Sequence, residues 1–314
     1  MNDKVVLIVG GTGTLGQMIL PKLIDTSTNV RVLSRGEHKQ VELAHKHKDV
    51  EFMLGDVADR ERVEIACRGC DEVYHFAAIK HVHKAERDVH QAIKTNVLGT
   101  LNVINGCIRN NVSKCIFTST DKAVEPLNVY GASKLLAERA WIAGNQGAHN
   151  SRFSAVRYGN VLASSGSVLE LWLKQRDKQE ALTITDPEMT RFFLTVEEAA
   201  TFVFQCMQEM EGGEVFIPKV KATSMKMMAN MLSDRIKKTG VRPGEKMHEV
   251  LISKNEMMQA RDAGHCFIRY PDTDWFTFET KGQWLPKDFE YTSLTAQQYT
   301  DNELRDLLCT LLQK

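Results

Sequence analysis

Thr120, Asp121, Lys122, Tyr130 and Lys134 put a hydroxyl, a carboxylate, two amines and a phenol into one short stretch of the chain. Tyr130 and Lys134 stand four residues apart, a spacing that places two side chains on one face of a helix. A free phenol has a pKa of roughly 10 and is a poor base at neutral pH, but nearby positive charge favours its ionised form. With Lys134 as that charge, Tyr130 can take the proton from a hydroxyl while hydride leaves the same carbon. Thr120 can donate a hydrogen bond to the oxygen as it becomes a carbonyl. These three suffice for reversible oxidation of a secondary alcohol; a surface helix is the structural alternative for the Tyr-Lys pair. Asp121 and Lys122 are surplus to that step. Once a ketone exists, the proton on its neighbouring carbon is acidic enough for an amine to remove. A protonated carboxyl can then hand a proton to a hydroxyl on the next carbon, which departs as water. The pair makes an elimination possible, with an ion pair in a turn as the alternative.

Such a set needs a rigid scaffold to position it. Residues 114–118 form an apolar strand that delivers the stretch to the edge of a sheet, and residues 131–144 read as the helix that carries Lys134. Upstream, residues 4–9 are a β-branched run without polar alternation, as expected of a strand buried on both faces of a parallel sheet. It runs into Gly10, Gly11, Thr12, Gly13, Thr14, Leu15 and Gly16, and residues 17–24 then read as a helix. A glycine-rich turn between strand and helix lets backbone N–H groups approach a pyrophosphate, which the helix N-terminus also favours. This context predicts a dinucleotide site. A second strand, residues 29–33, ends in Ser34 and Arg35 where an acid would bind the ribose hydroxyls of NAD. Arg35, with Lys39, suits a 2′-phosphate, so NADP is expected over NAD; solvated surface cations are the alternative.

Strands are also predicted at residues 51–54 and 72–76. After the first, Asp56 and Val57 sit where a carboxylate can accept from an adenine amino group, or can cap a helix starting near residue 58. After the second, Ala77 and Ala78 permit close approach of a cofactor. Lys80 and His81 follow, and then a helix with Thr95, Asn96 and Gly99; Lys80 and Asn96 complete the expected cofactor set. The alternation predicts a Rossmann-type doubly wound parallel α/β sheet formed by residues 1–158 and 192–218. A smaller α/β substrate-binding lobe is expected from residues 159–191 and 219–314. Residues 197–210 and 301–312 read as amphipathic helices, 154–158 and 214–218 as strands, and 242–249 as a charged turn entering a helix. The stretch 272–291 resists assignment. Met225, Met227, Met228 and Met231 read as core.

Composition narrows the classes. Forty basic and forty acidic residues give zero net charge over 314 residues, which argues against nucleic acid or an anionic membrane as partner. No apolar run approaches the roughly 20 residues that span a bilayer, and residues 5–9 do not resemble a signal peptide, so a cytoplasmic protein is expected. Seven cysteines, an odd number, suit reduced thiols. Cys67 and Cys70 have CxxC spacing but lie near a helix end, not at a redox-type turn. His81 and His83 lack the companions of a metal site, and no metal is expected.

The glycine turn, the YxxxK spacing and the two-lobed plan resemble the extended short-chain dehydrogenase/reductases that act on nucleotide sugars. More narrowly, AAIKHVHKAE (77–86), KTNVLGTLNVI (94–104), STDKAVEPLNVYGASK (119–134), RYGNVLASSGSV (157–168), ITDPEMTRF (184–192), EVFIPK (214–219) and RPGEKMHE (242–249) resemble the UDP-N-acetylglucosamine 4,6-dehydratases. The likeness is greatest to the inverting, soluble branch that starts pseudaminic acid synthesis. Membrane-bound relatives carry Met where this chain has Tyr130; departures from the family pattern are Leu15, where Phe is frequent, and His83, where Pro is expected. The resemblance implies NADP reduced and reoxidised within one turnover. Tyr130 and Thr120 would assist oxidation at sugar carbon 4, Lys122 would remove the carbon 5 proton, and Asp121 would protonate the departing carbon 6 hydroxyl. It further implies a UDP-sugar held by Lys80, His81, Asn160, Arg191, Arg242 and Glu245, and a homo-oligomer. A nucleotide-sugar 4-epimerase and a non-catalytic dinucleotide-binding scaffold are the competing readings.

Overall fold

The computed structural model describes residues 4–26, 29–164 and 166–312. Residues 1–3 and 313–314, which the domain assignment includes, and Ser165 in the RYGNVLASSGSV block lie outside the described residues. Strand and helix alternate through the first half: β1 (Val5–Val9), α1 (Thr14–Ile24), β2 (Asn29–Ser34), α2 (Glu37–Lys46), β3 (Glu51–Leu54), α3 (Arg60–Cys67) and β4 (Glu72–His75). There follow α4 (Val82–Arg87), α5 (Val89–Ala92), a π-helical turn (Ile93–Leu98), α6 (Gly99–Arg109), β5 (Lys114–Thr120), α7 (Val129–Ala143) and β6 (Arg152–Tyr158). Next come β7 (Asn160–Val161), α8 (Val168–Asp177), β8 (Leu182–Ile184), β9 (Thr190–Leu194), α9 (Val196–Glu209) and β10 (Val215–Pro218).

Seven strands hydrogen-bond in parallel in the order β3-β2-β1-β4-β5-β6-β10. The doubly wound α/β sheet predicted from the alternation is therefore present. β1 shows why its sequence lacks polar alternation. Leu7 and Val9 point into one core with Val73, Cys115 and Trp141, while Val6 and Ile8 point into the opposite one with Ile19, Val203 and Phe216. Helices α3, α6 and α7 pack together over the first face, and α1 and α9 over the second. Helix starts follow side-chain chemistry: Asn128 accepts from Gly131 N at 2.8 Å to begin α7, and Thr195 with Glu198 forms a reciprocal capping box on α9.

The remainder comprises β11 (Ala222–Ser224), α10 (Met225–Asn230), β12 (Ile236–Lys238), β13 (Val250–Ile252), β14 (Ala260–Asp262), β15 (Cys266–Arg269), β16 (Gln283–Trp284), β17 (Tyr291–Thr292) and α11 (Asp301–Leu312). β7, β9 and β11 make a small sheet, β8 pairs with β12, and β13 pairs with β17. Around them Trp172, Met225, Met228, Leu304 and Leu308 form a separate core, with Met227 and Met231 packed against it. Two sequence expectations change. β15, β14 and β16, from the stretch assigned to the smaller lobe, extend the large sheet antiparallel beyond β10, satisfying backbone groups that an edge strand would leave open. Residues 242–249 do not enter a helix. Gly244 has φ +79°, and the turn leads into β13, whose aliphatic residues pair with β17.

Candidate functional site

β1 and β5 open their carboxyl ends onto one long cleft, the place where ligands bind in open α/β sheets. One part, about 800 Å³, is lined by Gly10, Gly13, Arg35, Ala78, Thr120 and Tyr130. The other, about 480 Å³, is lined by Trp172, Thr185, Arg191, Arg242, Glu245 and Glu249. The two meet at Lys80, His81, Lys122 and Asn160, which line both.

The glycine turn at the first cleft is built for close approach. Gly10 has φ +87°, and a Cβ there would lie 2.7 Å from Ala77 N, so only glycine fits. Gly13 precedes α1 without a side-chain cap, which leaves the helix start to backbone N–H groups. Thr14, Leu15 and Gly16 line the same wall. The donor set and the uncapped helix start fit a dinucleotide pyrophosphate. Other expected cofactor residues lie behind that wall. Thr12 is buried, with its carbonyl accepting from Gln17; Ser34 is buried, its Oγ accepting from Gln40 at 2.8 Å. Val57 packs against Gly99 and gives its carbonyl to Asn102. Asn96 bonds Ile79 N at 2.8 Å, Ile79 O at 3.0 Å and Ser133 Oγ at 2.9 Å. It ties the loop before α4 to α7 and does not line either cleft.

Arg35 pairs with Asp56 at 3.4 Å. Asp56 also accepts from Ala58 N at 2.9 Å, while the cap of α3 is Asp59, accepting from Arg62 N at 3.0 Å. Lys80 is pushed below the ordinary ammonium range by burial, with Lys39 adding to the effect and Glu170 opposing it.

β5 runs to Thr120, two residues beyond the predicted end, and its register sets Thr120 beside Tyr158 of β6. A tight turn follows, and α7 comes back over it so closely that a Cβ on Gly131 would lie 2.1 Å from Lys122 O. This glycine lets the two halves of the stretch touch. Thr120 Oγ1 donates to Asp121 Oδ1 at 2.9 Å, and Lys122 Nζ lies 3.0 Å from that oxygen. Lys122 Nζ is also 3.1 Å from Glu249 Oε1 and 3.5 Å from Asn160 Oδ1. Burial raises the Asp121 carboxyl above its usual range, Glu249 adding to this and Lys122 opposing it. Lys122 shows the opposite balance: burial disfavours its ammonium, but Asp121 and Glu249 together outweigh that and hold the pKa above normal. Thus the carboxyl tends toward its protonated form and the amine toward its charged form.

Tyr130 and Lys134 sit one turn apart on α7 and both are buried. Their relation differs from the sequence expectation. Lys134 Nζ donates to Thr118 O at 2.6 Å and lies 3.7 Å above the Phe117 ring, and burial lowers it to about 7. Burial raises the Tyr130 phenol, while Lys122 and the Thr120 hydroxyl pull it back down. In this arrangement the cation favouring the phenolate is Lys122.

The expected substrate residues are also gathered, though not equally available. His81 packs against Gly166 and stands 5.8 Å from His83, ring centre to ring centre. Arg242 is exposed and pairs with Glu245 at 3.8 Å. Arg191 is buried, donating to Thr190 O at 2.7 Å and Lys246 O at 2.9 Å, with Glu249 at 3.5 Å. Its donors hold the 242–249 loop. Asn128 and Lys246 clamp that loop to the turn after β5, through Gly244 O and Val124 O. Glu249 arrives at Lys122 by this route. Sequence reasoning passed over it; the only signal was its place in the RPGEKMHE block.

Residues 6–271 match the family described as polysaccharide biosynthesis protein. The chain belongs to this family. It is 37% identical, over 98% of both chains, to a UDP-N-acetylglucosamine 4,6-dehydratase (inverting) of Campylobacter jejuni. It is also 35% identical to a UDP-glucose 4-epimerase of Rickettsia canadensis, over 98% of this chain and 96% of that one. The X-ray structure of Pen from Bacillus thuringiensis superposes with a TM-score of 0.92 at 34% identity, covering 99% of this chain and 98% of that one. Among the described residues no helix is long and apolar enough to cross a membrane.

Proposed function

We propose that this family member dehydrates UDP-N-acetylglucosamine to a UDP-2-acetamido-2,6-dideoxy-4-hexulose, with inversion at carbon 5 and with NADP as the bound cofactor. The observation that carries the reading is the Asp121-Lys122 pair beside Thr120 and Tyr130, with Lys122 at the junction of the two clefts and Asp121 fully buried 3.0 Å behind its Nζ. The glycine turn and Arg35 would hold NADP, which would supply reversible hydride transfer. Tyr130 takes the proton of the carbon 4 hydroxyl, and Thr120 donates to the same oxygen as it becomes a carbonyl. Lys122, whose ammonium Asp121 and Glu249 favour in the free site, first gives up its ammonium proton and then removes the proton of carbon 5. Asp121, whose carboxyl burial pushes up, gives its own proton to the carbon 6 hydroxyl so that it leaves as water, and carbon 5 regains a proton on the opposite face as carbon 6 is reduced. Lys134, lodged against Thr118 O, fixes the α7 face that presents Tyr130.

We assign residues 159–191 and part of 219–314 to the substrate-binding lobe, with Lys80, His81, Asn160, Arg242 and Glu245 toward the sugar nucleotide. Exposed Ile93, Leu98, Leu101 and Leu136, on helical segments that pack together, support a homo-oligomer. The family likeness extends to an epimerase, and that activity is the second reading: it needs Tyr130 and Thr120 but no elimination. Mass spectrometry of the product from UDP-N-acetylglucosamine separates the two. Loss of one water is expected, and an isomer of unchanged mass would refute the dehydratase.

A further inference from the structure

Lys122 is not placed by its own turn alone. Its Nζ lies between two carboxylates, Asp121 Oδ1 at 3.0 Å and Glu249 Oε1 at 3.1 Å. Glu249 is almost wholly buried, and its backbone N donates to Ser293 Oγ at 2.9 Å, while Ser293 O–H and Thr190 O–H share a contact of 2.7 Å. The Glu249 backbone is therefore anchored to Thr190 of β9 and to Ser293 just after β17, in addition to the clamp that holds its loop on the turn carrying Lys122. Its second oxygen, Oε2, is buried without a hydrogen-bond partner, as is Oδ2 of Asp121. Buried carboxylate oxygens are costly to leave unpaired, and here both belong to the groups flanking one ammonium.

We propose that Glu249 is the positioning residue of the elimination base: it holds the Lys122 side chain at the junction of the two clefts and sets the pH at which that amine can accept a proton from carbon 5. The inference rests on the dehydratase reading. Every charged group facing the pair enters the balance. Asp121 and Glu249 favour the Lys122 ammonium and Arg191 disfavours it. Tyr130 faces Lys122 from α7, and Lys246 faces Glu249, Asp121, Glu125 and Lys122. Glu249 itself is held ionised by Lys122 and Arg191 against the cost of its burial. Removing its negative charge leaves Lys122 with one carboxylate, so the amine loses its proton at lower pH.

The test measures, against pH, the rate at which deuterium is lost from carbon 5 of labelled UDP-N-acetylglucosamine. In Glu249→Gln the rising limb should move to lower pH by about one unit or more, roughly tenfold in proton affinity, and the plateau should fall because the side chain is less well held. Glu249→Asp keeps the charge at greater distance, so its limb should move the same way by about half a unit. Cofactor binding, read by fluorescence, reports whether each variant is folded; if the Gln variant is not, the Asp variant decides. A limb at the wild-type pH in the folded variants overturns the proposal. Should wild type release no water at all, the dehydratase reading fails instead, which keeps the two failures apart.

Discussion

Among the described residues, the buried charge clusters around Arg157 and around Lys122 are built to opposite specifications. Around Arg157, which is fully buried, the guanidinium is saturated: Glu138 at 2.6 and 3.1 Å, Glu256 at 2.8 and 2.9 Å, and Leu251 O at 2.9 Å. Around Lys122, the ammonium has two carboxylates, and each keeps one buried oxygen unpaired. The first cluster joins β6, α7 and the return of the chain after β13, and its charges are locked. Burial opposes both ions there, yet their mutual attraction raises Arg157 and lowers Glu138. In the second cluster burial prevails at Asp121 and attraction prevails at Lys122. Saturation gives a fastener, and incomplete pairing beside a cleft gives groups that can exchange protons.

The contrast can be broken at either end. Lys122→Ala should lower dehydration by about 10²–10⁴-fold while NADP still binds, as product mass and cofactor fluorescence would report. Undiminished deuterium exchange at carbon 5 in that variant would remove Lys122 as the base. Arg157→Met should act on stability instead, costing about 3–5 kcal/mol in urea unfolding because Glu138 and Glu256 lose their partner. A loss below about 1 kcal/mol would show that the cluster fastens nothing. Tyr130→Phe should slow the first oxidation by about 10²-fold or more, read in a single turnover, without altering the urea midpoint. Arg35→Ala should weaken NADP by about tenfold or more through loss of a charged contact, and NAD hardly at all; equal effects would exclude the 2′-phosphate contact.

Lys134 offers a finer test on the boundary between the two clusters. Its native pKa of about 7 lies below the ordinary 10.5, so between those values the unfolded chain holds more protons than the native one. Native stability should rise with pH through that window as the cost of the buried charge disappears. Lys134→Met should therefore be more stable than wild type below pH 7, by an amount that shrinks toward pH 10.5. A difference that does not change with pH would place the ammonium in a wetter site.

Much of this was legible in the sequence because it is local. The doubly wound sheet follows from β-branched runs such as residues 5–9, and the glycine turn from residues that tolerate φ > 0 and close approach. The grouping of Thr120, Asp121, Lys122, Tyr130 and Lys134 needed only a strand, a tight turn and a helix. What could not be read depends on chain return. Glu249 reaches Lys122 because Arg191, Asn128 and Lys246 clamp a distant loop, and no spacing rule encodes that. Strands of two or three residues in the smaller lobe carry too little pattern to mark their pairing. Nor does helical spacing tell whether Lys134 turns to the phenol of Tyr130 or to the carbonyl of Thr118.

The measurement closest to the central claim is NMR of the product formed from UDP-N-acetylglucosamine in deuterated water. The proposed function predicts a 4-keto sugar lacking one water, with solvent deuterium at carbon 5 and inverted configuration there. A 4-epimer of unchanged mass with no deuterium at carbon 5 would contradict it.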